Sequence, residues 1–401
     1  MKFLRTVSTR RLLALIGGLV AAIAAGAAIA VAATGSGPVP PPKPLASAIH
    51  SALKAPKLTG ISARISFTNH LIDSSDIQGA DPILTGATGR LWLSSDHRMR
   101  LELQSDTGDA QVVVNNRSFW LYDPSSRTVY KGILPPELMM GDASGKHDTL
   151  PSILDIQKHL SELAQHMNIS GARPSDVAGQ PAYTVRVTPK HDGGLLGAGE
   201  IAWDAVHGVP LRLAVYARGD SSPVLELKAT DISYGQVSRS VFSISPPSGA
   251  KVVQVKTPAS THANRHERKD RHHRDVTGAA AVARHLSFPL VAPSKLVGLP
   301  RRSVTLLDWG GTPAALVAYG QNLGGVAVIE QPADSAKAAP QTQSGDGQGR
   351  LTLPTVSING ATAEELDTAL GTMVRFTRGG VTYTVVGSVP AAAADAAARA
   401  L

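Results

Sequence analysis

From Ile61 onward, apolar side chains return at every second position, in one short run after another. In ISARISF (61–67), Ile61, Ala63, Ile65 and Phe67 fall on one side. In HRMRLELQS (97–105), Met99, Leu101 and Leu103 take one face, and Arg98, Arg100 and Glu102 the other. RLWLSS, AQVVVNNRSFWLYD and SRTVYKG continue the pattern up to Gly132, separated by Gly-Ala-Thr-Gly, Asn-Asn and Pro-Ser-Ser. A period of two is the geometry of a strand with one buried face. Short runs joined by turn residues make an antiparallel meander, and that meander must find something to cover its apolar side.

The period then changes. LPSILDIQKHLSELAQHMN (150–168) carries Ile153, Ile156, Leu160, Leu163 and Met167 at helical spacing. LASAIHSALK (45–54) has Leu45, Ile49 and Leu53 in a shorter version of that stripe. Alternation resumes in PAYTVRVTPK, GEIAWDAV, VPLRLAVYAR, VLELKATDISYG and SVFSISPPSGAKVV. Strands, a helix, then more strands suit a large curved antiparallel sheet with helices against its concave face. The stripe of 153–167 is the expected lid. Under it, Ile65, Phe67, Leu91, Leu93, Met99, Leu101, Leu103, Phe119 and Leu121 are the expected apolar lining. A filled helix-on-sheet core and a ligand cavity both fit this pattern.

The alternation stops at residue 256. KTPASTHANRHERKDRHHRDVTG (256–278) has no apolar residue larger than Ala before Val276. His262 and His266 would share a helix face, with His272 and His273 nearby, and imidazole suits zinc. With no apolar residue to fold the segment, a solvated linker is the better reading, and no resident metal or cofactor is expected. Beyond it, SVTLLDW, AALVAYG, GGVAVIEQ and MVRFTRGGVTYTVVGSVP read as strands, and ATAEELDTAL (361–370) as a helix. PADSAKAAPQTQSGDGQGR is a polar insertion, and AAAADAAARAL a helix-forming tail.

At the other end, Leu12–Ala33 holds 22 residues without a charged or polar side chain, behind Lys2, Arg5, Arg10 and Arg11. As a helix it reaches about 33 Å, enough to span a bilayer core. The basic flank keeps the N-terminus in the cytoplasm and sends the rest outside. A cleaved signal peptide, with a small-residue site at Ala30-Val31-Ala32, is the other reading, and it gives a secreted protein. The chain has no cysteine, which excludes disulfides, thiolate metal sites, a cysteine nucleophile and a lipidated cysteine. The net charge of +8 includes the four N-terminal cations, so the remainder is only mildly basic and no nucleic-acid partner is expected.

The expected organisation is therefore a cytoplasmic basic tail (1–11), a membrane anchor or uncleaved signal (12–33) and a Pro-rich linker (34–44). A β-rich domain (45–256), the His/Arg-rich linker (257–278), a small α+β domain (279–390) and an Ala-rich tail (391–401) follow. Catalytic motifs are near misses. GDASGKH (141–147) lacks the spacing and the Ser/Thr of a phosphate loop, and GAGE at Gly197 lacks a third glycine. Asp204 and His207 lie near each other in WDAVHG.

GATGRLWLSSDHRMRLEL, VVVNNRSFWLYDPSSRTVYKG, PAYTVRVTPK, IAWDAVHGVPLRLAVYA and VFSISPPSGAKVV, in this order, resemble the LolA-like superfamily, which includes the RseB (MucB)-like sigma-E regulators. LVAYGQNLGGVAVIEQP and VTYTVVGSVPAAAADAAARAL look like the small C-terminal domain of the RseB-like members. The resemblance implies an α+β fold: a curved, incompletely closed antiparallel β-barrel with a helical lid, plus a smaller C-terminal domain. It implies no enzyme. The expected ligand is a lipid or lipoprotein acyl chain, held by a carrier or an envelope sensor. The alternative is a regulatory interaction protein whose C-terminal domain binds a membrane partner such as an anti-sigma factor.

Overall fold

A computed structural model describes residues 38–72, 86–105, 108–124, 126–134, 151–191, 193–255, 276–309, 312–333 and 353–401. The apolar run 12–33, the phosphate-loop near miss at 141–147, the four histidines of 262–273 and the insertion after 333 lie outside the described residues. No described helix is long and apolar enough to cross a membrane.

Among the described residues, thirteen strands form one sheet. β1 (Gly60–Asn69), β2 (Ala87–Ser94), β3 (Arg98–Ser105), β4 (Gly108–Asn115), β5 (Ser118–Asp123) and β6 (Thr128–Ile133) make the expected meander. β9 (Gln180–Pro189), β10 (Leu196–Asp204), β11 (Pro210–Ala217) and β12 (Leu225–Tyr234) make a second one, and β7 (Met167–Ile169) and β8 (Arg173–Val177) both pair with β9. The two join through the antiparallel pair β1–β12. β13 (Lys251–Val255) closes the far edge, parallel to β6. The end strands β13 and β7 do not meet. The sheet is a curled half-barrel, and one register shift between Arg64 and Ile65 in the β1–β12 pair marks a bulge that adds local twist.

Two helices sit at the β9–β10 side. α1 (Leu45–Leu53) presents Leu45, Ala48, Ile49 and Ala52 to Tyr183, Val185 and Trp203. That i, i+3, i+4, i+7 set is one helical face. α2 (Ile153–Leu163) starts with a capping box between Ser152 and Asp155. It packs against α1.

Among the described residues, a second sheet of eight strands runs β14 (Lys295–Leu296), β15 (Leu299–Trp309), β16 (Thr312–Tyr319), β17 (Val326–Pro332), β21 (Val381–Gly387), β20 (Gly371–Arg378), β19 (Ala361–Thr368), β18 (Thr355–Ile358). The segment expected to be the helix ATAEELDTAL is strand β19. Asn359 and Gly360 both have positive φ (49° and 84°) and join Ile358 directly to Ala361. That tight Asn-Gly turn sends the chain back as a hairpin, and pairing with β18 and β20 overrides the helix propensity of Ala, Glu and Leu. The Ala-rich end is α4 (Ala391–Arg399), after the short α3 (Ala279–Ala283). Ala394, Ala397 and Ala398 are fully buried in the second core, so this tail is a structural helix.

The two sheets touch at loop ends. Leu195 N donates to Ser388 O at 3.0 Å and to Ser388 Oγ at 2.9 Å, and Ala369 N donates to Leu71 O at 2.8 Å. Gly194 permits this approach: its φ is +62°, and a Cβ there would fall 2.1 Å from Ser388 O. Gly194→Ala is expected to enlarge the radius of gyration in solution scattering while amide protection in both sheets persists. Unchanged scattering would refute the contact.

Candidate functional site: an apolar face with one open row

On the concave side, cross-strand register turns the period-two residues into rows. Ala63, Leu91, Leu101, Val112, Leu121 and Tyr130 stand opposite one another across β1 to β6. Ile61, Leu93, Met99, Val114 and Phe119 form the next row. Eight of the expected lining residues, Ile65, Leu91, Leu93, Met99, Leu101, Leu103, Phe119 and Leu121, are buried in this one cluster. Phe67 is half-buried at its margin. The face is mostly packed. A cavity of about 50 Å³ remains, lined by Ile61, Ile65, Leu91, Leu93, Leu211 and Ala229 among others. It has room for a few water molecules, not for an acyl chain.

The row next to it is different. Phe67 opposes Leu227, Leu227 opposes Leu213, Leu213 opposes Ile201, and Ile201 opposes Val185. Neighbouring strands lie about 4.8 Å apart, so this row runs about 19 Å across five strands. Leu213 is 41% exposed and Ile201 36%. Their neighbours on the other face, Glu200, Arg212 and Glu226, are tied in ion pairs. Here the sheet is apolar on one face and charged on the other; Leu213 and Ile201 are left open, while Val185 at the end of the row is buried under α1. Sequence reasoning found only Phe67 of it. The alternation of VPLRLAVYAR and VLELKATDISYG was visible, but which residues stand side by side depends on register across strands.

The expected lid is not on this face. Ile156 of α2 is buried, while Ile153 and Leu163 are 38% and 47% exposed. Leu160 is half-buried, and none of the four joins the concave cluster. Met167 lies beyond the helix, in β7, opposite Pro189. The reason is steric. α1 already occupies the sheet over Tyr183 and Trp203, with Ala48 allowing close approach, so α2 can only pack outside it.

Asp204 and His207 do meet, and they form a turn clamp. Asp204 is fully buried. Its Oδ1 accepts from the N–H groups of Val206 (2.7 Å) and His207 (2.8 Å). Its Oδ2 accepts from Tyr234 Oη at 2.6 Å and lies 3.0 Å from His207 Nδ1. Burial, then the Asp204 charge, push the Tyr234 hydroxyl pKa far up. No group of three or more potential metal ligands occurs among the described residues.

No family model matches the chain, and no curated protein matches it. Solved structures do. The crystal structure of MucB in complex with MucA(peri) is 16% identical, covering 89% of this chain and 95% of that one, with a TM-score of 0.38. A MucA/MucB complex from Pseudomonas aeruginosa gives the same figures. The LolA superfamily protein NE2245 from Nitrosomonas europaea is 10% identical over 50% of this chain and 98% of that one, with a TM-score of 0.19. The likeness is to MucB and the LolA superfamily.

Proposed function

We propose that this chain is an extracytoplasmic, non-enzymatic protein, tethered by residues 12–33, that takes the acyl chain of a lipid or lipoprotein along its concave face. The supporting observation is the in-register row Phe67–Leu227–Leu213–Ile201, open at Leu213 and Ile201, beside a small apolar cavity. Each buried methylene contributes about 0.8 kcal/mol, so ten give about 8 kcal/mol before the cost of association. Such binding needs no polar anchor, which fits a site without a sequence motif. The test is organic extraction of the purified protein followed by mass spectrometry, with a fluorescent fatty acid as titrant. Ile201→Asp with Leu213→Asp should lower fatty-acid affinity at least about tenfold and leave folding intact, since both side chains are partly exposed. Absence of lipid in the extract together with equal affinity in the variant would falsify the reading.

A regulatory role is the second reading. One observation favours it: Ala318, Ala327, Val386, Met373 and Leu366 form an in-register row on the outer face of the second sheet, with Val386 39% exposed. One similar MucB structure is a complex with MucA(peri). In this reading a membrane-anchored regulatory protein docks on the second sheet, and cross-linking at Val386 in cells would trap it.

A further inference from the structure

We propose that the corner where α1 meets α2 is a second membrane contact, which seats Ile153, Leu154 and Val206 in the surface of an anionic bilayer. The proposal rests on the reading of residues 12–33 as a retained anchor.

The corner is built from three segments. His50, in the last turn of α1, places Nδ1 3.1 Å from Pro151 O, just before α2. Ala52 packs against Gly208 of the β10–β11 turn, so closely that a Cβ on Gly208 would fall 2.4 Å from Ala52 O. Three large apolar side chains project from these segments into solvent: Leu154 at 76% exposure, Val206 at 53% and Ile153 at 38%. The packing of α2 on α1 gives them nothing to bury against.

The surroundings are basic. Lys54 and Lys57 follow α1 directly and are exposed. Asp155 accepts from Ser152 N at 3.0 Å and Ser152 Oγ at 2.7 Å and keeps its negative charge, so the positive excess rests on Lys54, Lys57 and Lys158 against Asp155 and Glu162. Lys158, His159 and Glu162 lie further along the helix. Apolar side chains beside lysines match the acyl–headgroup boundary of an anionic bilayer.

Chain length favours the same occupant. The apolar run ends at Ala33 and the described body begins at Pro38. Four intervening residues reach at most about 14 Å. Pro38–Pro44 is fastened to the body, where Tyr183 Oη donates to Pro41 O at 2.6 Å. Tyr183 pairs with Trp203, next to the β10–β11 turn. The tether therefore holds this end of the sheet at the bilayer. The contacts with the second sheet, at Leu71 and Leu195, lie at the opposite ends of β1 and β10. The molecule would stand on its α1–α2 corner, with the open row rising from the bilayer beneath α1 and the second sheet farthest out.

The chain has no cysteine, so Leu154→Cys gives a single labelling site. The full chain carrying an environment-sensitive fluorophore there is placed in nanodiscs of phosphatidylcholine with or without phosphatidylglycerol. Ser221→Cys, in the exposed loop at the far end of β11, is the control. The expected result is a blue shift, with quenching by nitroxide acyl chains, at position 154 in the anionic discs only. Lys54→Glu with Lys57→Glu should reduce both at least about threefold, and the label at 221 should show neither. A label at 154 that stays in water overturns the proposal. So does one that is shielded without lipid or unquenched by nitroxide, because protein then covers the corner. Carbonate extraction reads the anchor separately: release of the full chain overturns the tether reading, and this proposal with it.

Discussion

Asp204→Ala is expected to destabilise the first sheet by about 3–5 kcal/mol, a very large effect for one side chain in this protein. The carboxylate is fully buried and takes four donors: two backbone N–H groups, one phenol and one imidazole. Truncation leaves all four without their acceptor, and each unsatisfied buried group costs about 1–3 kcal/mol, less what local relaxation recovers. The backbone of the same residue closes the turn, through Asp204 N to Val209 O at 2.8 Å and Gly208 N to Asp204 O at 2.9 Å. Tyr234 carries the clamp from β10 across to β12. Asp204→Asn should cost less, since Oδ1 still accepts the two N–H groups. Tyr234→Phe should cost about 1 kcal/mol, one hydrogen bond. Urea titrations by circular dichroism give the order Ala, Asn, Phe. Equal losses in all three would show that the residues act through packing instead.

This clamp also marks how far sequence reasoning reaches. WDAVHG was legible as a turn through the family resemblance, and Asp204 and His207 are only three residues apart. The concave lining was legible because local geometry needs only local residues: Met99, Leu101 and Leu103 must share a face whatever they pair with. The lid was not. The amphipathic stripe of 150–168 says that a face is buried, not against what, and α1 won the place through the small side chains Ala48 and Ala52. The open row was hidden by register. Ile201, Leu213 and Leu227 are ordinary alternating residues until pairing sets them side by side. β19 is a different failure. Asn359-Gly360 is a strong local hairpin signal, and it overrides the helix propensity of the Ala-Glu-Leu composition after it.

The second sheet should lose stability as pH rises towards neutrality, and Glu330→Gln should abolish that loss. Glu330 is fully buried between Ala315 and Tyr383 on the neighbouring strands. Its Oε2 accepts from Val291 N at 2.9 Å, while Oε1 and the buried Tyr319 hydroxyl have no hydrogen-bond partner among the described residues. Among the described residues no cation compensates it: Arg301 donates to Ala292 O, and Arg378 lies over the rings of Phe376 and Tyr383. Burial pushes the Glu330 carboxyl from 4.5 up to about 7, against a smaller opposing effect of the Val291 N–H. The folded state therefore keeps a proton that the unfolded state gives up. Below pH 4.5 both states hold it and there is no effect. Between about 4.5 and 7 stability falls with rising pH, and above 7 it levels off. The difference of about 2.5 pH units corresponds to about 3 kcal/mol. Glutamine keeps an acceptor for Val291 N, can donate towards Tyr319, and carries no charge at any pH. The variant should match the parent at pH 4.5 and exceed it by up to about 3 kcal/mol at pH 8, in urea titrations at both. Parallel pH profiles would place the titrating group elsewhere. Lower pH would then tighten the second sheet, the one that carries the outer apolar row, and leave the row of Leu213 and Ile201 on the first sheet unchanged.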